Sequence, residues 1–130
     1  MQVVRGSELN FEAASHEDPN KPGVLKKVLA TKHNLICGQV QMVNWAKLPV
    51  GSSFQPHYHE DMQEVFIMMN GRVEMLVNDT SATLERGDAI LIEPREVHQM
   101  TNLCEEEVHY VVFGISTEQN GKTVVVDSTS

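Results

Sequence analysis

The chain has 130 residues, of which 41% are hydrophobic, so it can bury the core of one domain but not the cores of two domains of ordinary size. Its formal net charge of -8, with no basic run to offset it, argues against nucleic acid and membrane surfaces as partners. No apolar stretch reaches the length of about eighteen residues that a membrane span requires, and the N-terminus lacks the pattern of a signal peptide, so we expect a cytoplasmic protein.

The chain contains only two cysteines, Cys37 and Cys104. A small domain that depends on a disulfide framework carries more cysteines than this. We therefore expect two free thiols in a reducing compartment, with a bridge between Cys37 and Cys104 as the less favoured alternative.

The N-terminal part of the chain is polar and rich in turn-forming residues, and we predict that residues 1–23 form an arm or loop. Residues 24–31 follow, where the apolar positions fit one face of a helix but the β-branched residues and the neighbouring strands favour an edge strand. On such a strand Lys26 and Lys27 would guard the open edge against pairing with another chain.

Residues 51–71 hold three candidate metal ligands. His57 and His59 are separated by one residue and point to the same side of an extended chain, because strand side chains alternate. Glu64 lies five residues after His59 and would face the opposite side of an unbroken strand. The polar residues 60–63 offer a loop or bulge that resets this alternation. The segment therefore predicts two imidazoles and a carboxylate on rigid elements.

The remainder of the chain consists of short candidate strands. Asn70 and Gly71 both accept a positive φ and give the strongest short-range hairpin pattern, which predicts residues 72–77 as the returning strand. Further strands are predicted at residues 80–84, 89–92, 97–101, 107–115 and 123–126, and the tail at residues 127–130 is expected to fray. Many short strands with Gly, Pro and Asn between them predict an all-β barrel or jelly roll.

His98 is the natural candidate for a further ligand, after the apolar run 89–92 and a turn at residues 93–96. The two segments together resemble the two sequence motifs of the cupin superfamily. The matching positions are Gly51, His57, His59, Glu64 and Gly71 in the first motif and Gly87, His98 and Asn102 in the second. The resemblance covers residues 51–102 and is typical of a small single-domain cupin.

The second motif departs from the family pattern in the turn before His98. Glu93 stands where the family usually has proline, with Pro94 one place later, and Arg95 stands where it usually has a second glycine. The spacing of His98 from Gly87 is kept. The departures therefore concern the shape of the turn and leave the candidate ligand in place.

Resemblance to cupins implies a single barrel over residues 24–126 that holds one divalent metal ion through three histidines and a glutamate, namely His57, His59, Glu64 and His98. Neutral imidazoles and a carboxylate suit Fe, Mn, Ni, Co, Cu or Zn, so the identity of the metal stays open. An ion with positions left free by the protein can bind a small-molecule ligand or substrate. The resemblance also implies a homodimer.

The same resemblance permits two classes of function. The first is a metal-dependent enzyme, a dioxygenase or an isomerase or lyase, that acts on a small polar metabolite. The second is a non-catalytic barrel that binds or senses a metal or a small ligand. Likeness of fold does not choose between them.

Three further residues are weak catalytic candidates. His109 lies on an apolar strand and would serve as a general base or a partner of the ligands if it faced inward. Gln63 directly precedes Glu64 and could form a hydrogen bond within the site, and Arg95 could meet an anionic substrate at the mouth of the barrel. In each case a structural or solvated residue is the simpler interpretation. His16 and His33 lie in polar stretches and are expected at the surface.

Overall fold

The computed structural model describes residues 2, 4–36, 39–116 and 122–126, and β-strands make up most of them. The strands are β1 (Glu12–Ala13), β2 (Leu25–Thr31), β3 (Val40–Leu48), β4 (His57–His59), β5 (Met62–Met68), β6 (Arg72–Val77), β7 (Thr80–Glu85), β8 (Ala89–Ile92), β9 (His98–Asn102), β10 (Val108–Ser116) and β11 (Thr123–Val125). The described ranges add one short 3-10 turn, Gly6–Glu8, and include no helix that could cross a bilayer. The prediction of an all-β chain is confirmed.

The strands form two antiparallel sheets. One sheet has the order β1-β2-β3-β10-β5-β8 and the other β11-β4-β9-β6-β7. Alternate side chains of both sheets are buried in one hydrophobic core, to which β10, β5 and β3 contribute from the first sheet and β6 and β9 from the second. This is the jelly-roll arrangement that the pattern of short strands predicted.

The predicted hairpin across Asn70 and Gly71 is wrong. β5 pairs with β10 and β8, whereas β6 pairs with β7 and β9 in the other sheet. Gly71 does have a positive φ of 71°, and an added Cβ would lie 2.7 Å from Val108 Cγ2. Asn70 accepts a hydrogen bond from the His109 N–H at 2.7 Å. The turn residues therefore carry the chain from one sheet to the other instead of folding it back on itself.

The turn before His98 keeps its shape without the usual glycine. Arg95 has a φ of 70°, in the left-handed region where any side chain is strained and glycine is not. Its backbone N–H donates a hydrogen bond to the carbonyl of His59 at 2.7 Å. This bond to β4 holds the strained turn, and the Arg95 side chain is exposed.

The described part of the chain includes one of the two cysteines, Cys104. Cys104 is a free, partly buried thiol, and its Sγ donates to Asn102 Oδ1 at 3.1 Å. Cys37 and residues 127–130 lie outside the described residues.

Replacing Arg95 with glycine should stabilise the fold. A left-handed conformation costs an L-residue about 1–2 kcal/mol, and glycine avoids this cost. The greater conformational freedom of glycine in the unfolded chain offsets about 0.5–1 kcal/mol of that gain. We expect the free energy of unfolding of Arg95→Gly, measured by urea denaturation, to rise by about 0.5–1 kcal/mol. Arg95→Ala is the control, since it keeps the Cβ. Equal stability of the two variants would contradict the assignment of strain to this turn.

Candidate metal centre

Four side chains converge between the two sheets. His57 and His59 come from β4, Glu64 from β5 and His98 from β9. One nitrogen or carboxylate oxygen from each residue lies within 4.8 Å of those from the other three, and the residues are only 1–6% exposed. Because β5 belongs to one sheet and β4 and β9 to the other, the cluster spans the gap between the sheets.

The path of the chain explains why Glu64 faces the histidines. β4 ends at His59, residues 60–61 cross to the other sheet, and β5 then buries Glu64 on its inner face. The break in alternation predicted at residues 60–63 is thus a crossing between sheets. In the five-stranded sheet β4 and β9 share a single register pair, His57 with His98, and their ring centroids are 4.4 Å apart.

Each histidine is oriented by a hydrogen bond on its outer nitrogen. His57 Nδ1 donates to the carbonyl of Gln55 at 2.7 Å, and His98 Nδ1 donates to the carbonyl of Glu96 at 3.0 Å. His59 Nδ1 lies 2.9 Å from the Thr123 hydroxyl. Such partners fix the orientation of an imidazole and direct the other nitrogen, Nε2, to a shared ligand.

The inner nitrogens meet the Glu64 carboxylate. Its Oε1 lies 2.8 Å from His59 Nε2 and 3.1 Å from His98 Nε2. Burial by itself would raise the pKa of Glu64, but the hydrogen bonds from His59 and His98 hold that pKa well below its usual range, so the carboxylate is ionised.

The short contact between Glu64 and His98 indicates that this site suits a cation. Because His98 Nδ1 donates its proton to a backbone carbonyl, the ring can donate from Nε2 to Glu64 only in its protonated form, and a neutral ring would present a lone pair to the carboxylate oxygen. Two acceptors this close need a positive charge, either a proton or a metal ion, between them. Three imidazole nitrogens and a carboxylate form a donor set that fits a transition metal ion.

Burial keeps His57 in the form that binds metal. Burial, followed by the neighbouring His16 and His98, lowers the pKa of His57 to about 3, although the hydrogen bond to Gln55 opposes the shift. A metal ion binds the neutral imidazole, so near pH 7 it would not have to displace a proton from this ring.

His16 forms a wall of the site that the sequence did not predict. Its ring stacks on that of His57 with centroids 4.0 Å apart, and its side chain is 18% exposed. Burial lowers the pKa of His16 to about 4. The prediction that His16 is a surface residue is therefore wrong, whereas His33 is exposed as expected.

Glu17 anchors this N-terminal segment to the metal centre. Its buried carboxylate accepts hydrogen bonds from the N–H of Gly23 and the N–H of Gln55, both at 2.7 Å. Gly23 is needed because an added Cβ would overlap the carbonyl oxygen of Ser53. Gln55 is also the residue whose carbonyl orients His57. Glu17 thus fixes the backbone on which that orientation depends.

The cluster opens onto a cavity of about 280 Å³ between the sheets. Phe54 and Phe66 supply apolar walls, and Tyr110 and Asn44 add polar groups. Burial, with the nearby Glu64 and Glu17 carboxylates, raises the pKa of Tyr110 above its usual range, so its hydroxyl stays protonated.

Lys26 also lines this cavity, and β1 pairs with the outer edge of β2, so Lys26 does not guard an open edge as predicted. It pairs across β2 and β3 with Ala46, whose side chain is buried in the core, whereas Lys27 lies on the other face above Phe11 and Trp45. The strand predicted at residues 24–31 is present as β2, but its two lysines have different surroundings.

The structure does not bring the three weak catalytic candidates to the cavity. His109 lies opposite the buried face of β10 and accepts a hydrogen bond on Nδ1 from Trp45 Nε1 at 2.9 Å. Gln63 donates from Nε2 to Glu93 Oε1 at 2.9 Å, and the Arg95 side chain is exposed. The residues of β10 that line the cavity are Tyr110, next to His109, and Val112.

The chain is similar to known proteins in the sequence of its central part and in its fold. The family model of the cupin domain matches residues 44–114. An uncharacterized protein of Methanocaldococcus jannaschii is 30% identical over 70 residues, which are 54% of this chain and 56% of that protein. The chain thus matches little more than half the length of this relative.

Two solved structures extend the comparison of folds. A predicted oxalate decarboxylase from Thermotoga maritima is 26% identical with a TM-score of 0.75, over 88% of this chain and 99% of that protein. The polyketide cyclase RemF from Streptomyces resistomycificus is 15% identical with a TM-score of 0.77, over 98% of this chain and 86% of that protein. The second likeness concerns the fold alone.

Glu17→Gln should weaken both the fold and metal binding, because an amide nitrogen cannot accept the hydrogen bonds that the carboxylate accepts. Losing a buried hydrogen bond to a charged group costs about 1.5–3 kcal/mol, and we expect a fall of this size in the free energy of unfolding. Asp18→Asn is the matched control at an exposed carboxylate and should change stability by less than about 0.5 kcal/mol. Equal effects of the two substitutions would contradict the anchoring role.

Acid should break the hydrogen bond between Trp45 and His109, because protonated Nδ1 cannot accept it. Burial, opposed by Glu107 and assisted by Lys47 and Lys27, lowers the pKa of His109 below its ordinary value of 6.5. The contribution of this bond to stability is therefore present above pH 6.5 and is lost as the pH falls through the lowered pKa.

Trp45 is the only tryptophan of the chain, so its fluorescence reports this titration. We expect a fluorescence transition with a midpoint below pH 6.5 that is absent in His109→Gln, whose side-chain oxygen accepts the bond without titrating. The same transition in both proteins would refute the assignment.

Proposed function

The chain belongs to the cupin family, whose domain model spans more than half of it, and we propose that it is a metal-dependent enzyme acting on a small polar metabolite. One divalent transition metal ion would be held by His57, His59, Glu64 and His98. The observation that carries the proposal is the convergence of four donor atoms within 4.8 Å beside a cavity large enough for a small ligand.

A bound ion and the side chains of the protein would contribute different parts of the chemistry. When bound, a divalent ion supplies Lewis acidity that polarises an oxygen of the ligand. The chain orients the three imidazoles through their Nδ1 bonds and keeps Glu64 ionised. Phe54 and Phe66 exclude water on one side, and the protonated hydroxyl of Tyr110 can donate a hydrogen bond to a ligand.

The reaction class stays open between oxygenase chemistry and isomerase or lyase chemistry. The likeness to the predicted oxalate decarboxylase supports a small carboxylic acid as one substrate to test. The family relationship supports metal chemistry more generally, because one fold hosts many reactions and the residues of the site decide among them.

A binding or sensing barrel without turnover is the second candidate. It is favoured by the positions of His109, Gln63 and Arg95, none of which lines the cavity. A binding protein would need the four ligands and the cavity but no further group for proton transfer.

The predicted homodimer and the cytoplasmic location stay predictions. The outer face near the edge strand β8 supports association, because Ile67 and Leu91 are 39% and 56% exposed there. Apolar side chains beside an open sheet edge are suited to burial against a second copy.

Metal content tests the proposed function directly. Elemental mass spectrometry on untagged protein, purified without chelator, should find about one equivalent of a transition metal. Removing even an outer partner of a ligand costs about 10–100-fold in metal affinity, so His98→Ala should lose at least that much. His33→Ala is the control at an exposed histidine and should keep the metal.

The identity of the metal then directs the search for activity. Iron would direct screening to oxygenases, and zinc, nickel or manganese to isomerases and lyases. Turnover that disappears in His98→Ala would support the enzyme, and a fall in melting temperature without any turnover would support the binding protein. Absence of metal from reconstituted wild-type protein would overturn the proposed centre.

A further inference from the structure

We propose that the cavity binds a small hydroxycarboxylate, with its carboxylate held by Lys26 and its hydroxyl by Asn44. This inference rests on the proposed function and deepens it by naming the class of ligand. Lys26 and Asn44 belong to β2 and β3 and lie outside the set of four metal ligands.

Lys26 points into the cavity without a partner for its charge. The register pairs it with Ala46 on β3 and with Glu12 on β1. Glu12 is exposed and makes no ion pair with it, and Lys26 forms neither an ion pair nor a side-chain hydrogen bond to any other residue in the described part of the chain. A partly buried lysine whose charge has no partner is a feature that a ligand carboxylate would satisfy.

The charges around the cavity favour an anion. Among the described residues that line it, Lys26 is the only lysine or arginine and Glu64 the only carboxylate. A divalent ion at the four ligands would exceed the charge of Glu64, and Lys26 adds a further positive charge. The cavity would then be positive within a protein of net charge -8. A buried excess of one sign is unfavourable unless a ligand of the other sign compensates it.

Asn44 supplies the second polar contact. The residue is 7% exposed, and its Oδ1 is buried without a hydrogen-bond partner in the described structure. Buried polar atoms are rarely left unpaired, so this oxygen is suited to accept a bond from a ligand hydroxyl. Asn44 lies two residues from Ala46 on the inner face of β3, which makes it a diagonal neighbour of Lys26 across the strands.

The size of the cavity limits the ligand. A volume of about 280 Å³ lies just below the usual range for small-molecule sites, so the ligand must be small. A short hydroxydicarboxylate can place one carboxylate at Lys26, its hydroxyl at Asn44 and its other end towards the histidines. The probes that follow from this geometry are malate, succinate, which lacks the hydroxyl, and malamide, which lacks the charges.

Isothermal titration calorimetry on metal-loaded, full-length protein tests the inference. Malate should bind at least about tenfold more tightly than succinate or malamide, since unpaired buried groups discriminate strongly against an analogue that lacks the matching group. Lys26→Gln should weaken malate binding at least about tenfold, and Lys26→Arg should restore part of it by restoring the charge. Asn44→Ala should reduce the difference between malate and succinate.

Lys27→Gln is the matched control, because Lys27 faces away from the cavity and should leave malate binding unchanged. Metal content measured on the same samples separates the two proposals. Absence of bound metal from the protein would contradict the proposed function. Metal-loaded protein that binds malate no better than malamide, or equally well with and without Lys26, would overturn the hydroxycarboxylate site alone.

Discussion

The contact of Glu64 with two imidazoles across the gap between the sheets is the constraint on which the site depends. A carboxylate that is 5% exposed is stable only with strong partners, and His59 and His98 provide them from the opposite sheet. Their inner nitrogens can face Glu64 because their outer nitrogens are held by Thr123 and the carbonyl of Glu96. The ionised Glu64 therefore depends on neutral groups, the Thr123 hydroxyl and the Glu96 carbonyl, that hold the two histidines in place.

The N-terminal segment supports the same site through a second buried carboxylate, that of Glu17. Glu17 binds the backbone N–H of Gln55, whose carbonyl orients His57, and it also binds Gly23. His16, beside Glu17, then stacks on His57 and closes one side of the cavity. A segment that has almost no regular secondary structure therefore determines both the backbone next to a candidate ligand and the shape of the space in front of it.

Local features of the fold could be predicted from the sequence, because the alternation of side chains is a property of neighbouring residues. The strands at residues 72–77 and 89–92 have the predicted bounds, and the four candidate ligands lie together. Alternation did not tell which face of β10 is buried, because Val111 and Phe113 on one face are as apolar as Val108 and Val112 on the other. The sequence therefore left the orientation of His109 open and gave no signal for Tyr110, which lies on the buried face.

Contacts between distant parts of the chain explain the other differences between the predicted and the observed structure. The sheet that each strand joins depends on pairings such as those of β5 with β10, and no local pattern around Asn70 and Gly71 encodes them. The position of His16 likewise depends on the hydrogen bond from Gln55 to the neighbouring Glu17, and that of Lys26 on the pairing of β2 with β3.

The single register pair between β4 and β9 has a consequence for the mechanics of the barrel. These neighbours share fewer register pairs than any others in the five-stranded sheet as described, since β11 and β4 share three and β6 and β9 share five. Native proteins open first where few backbone hydrogen bonds have to break. Backbone amides between β4 and β9 would accordingly exchange hydrogen faster than those of the other strand pairs in this sheet. Binding of a ligand by both His57 and His98 would stabilise the paired state of the two strands, so occupancy of the centre would slow this local opening.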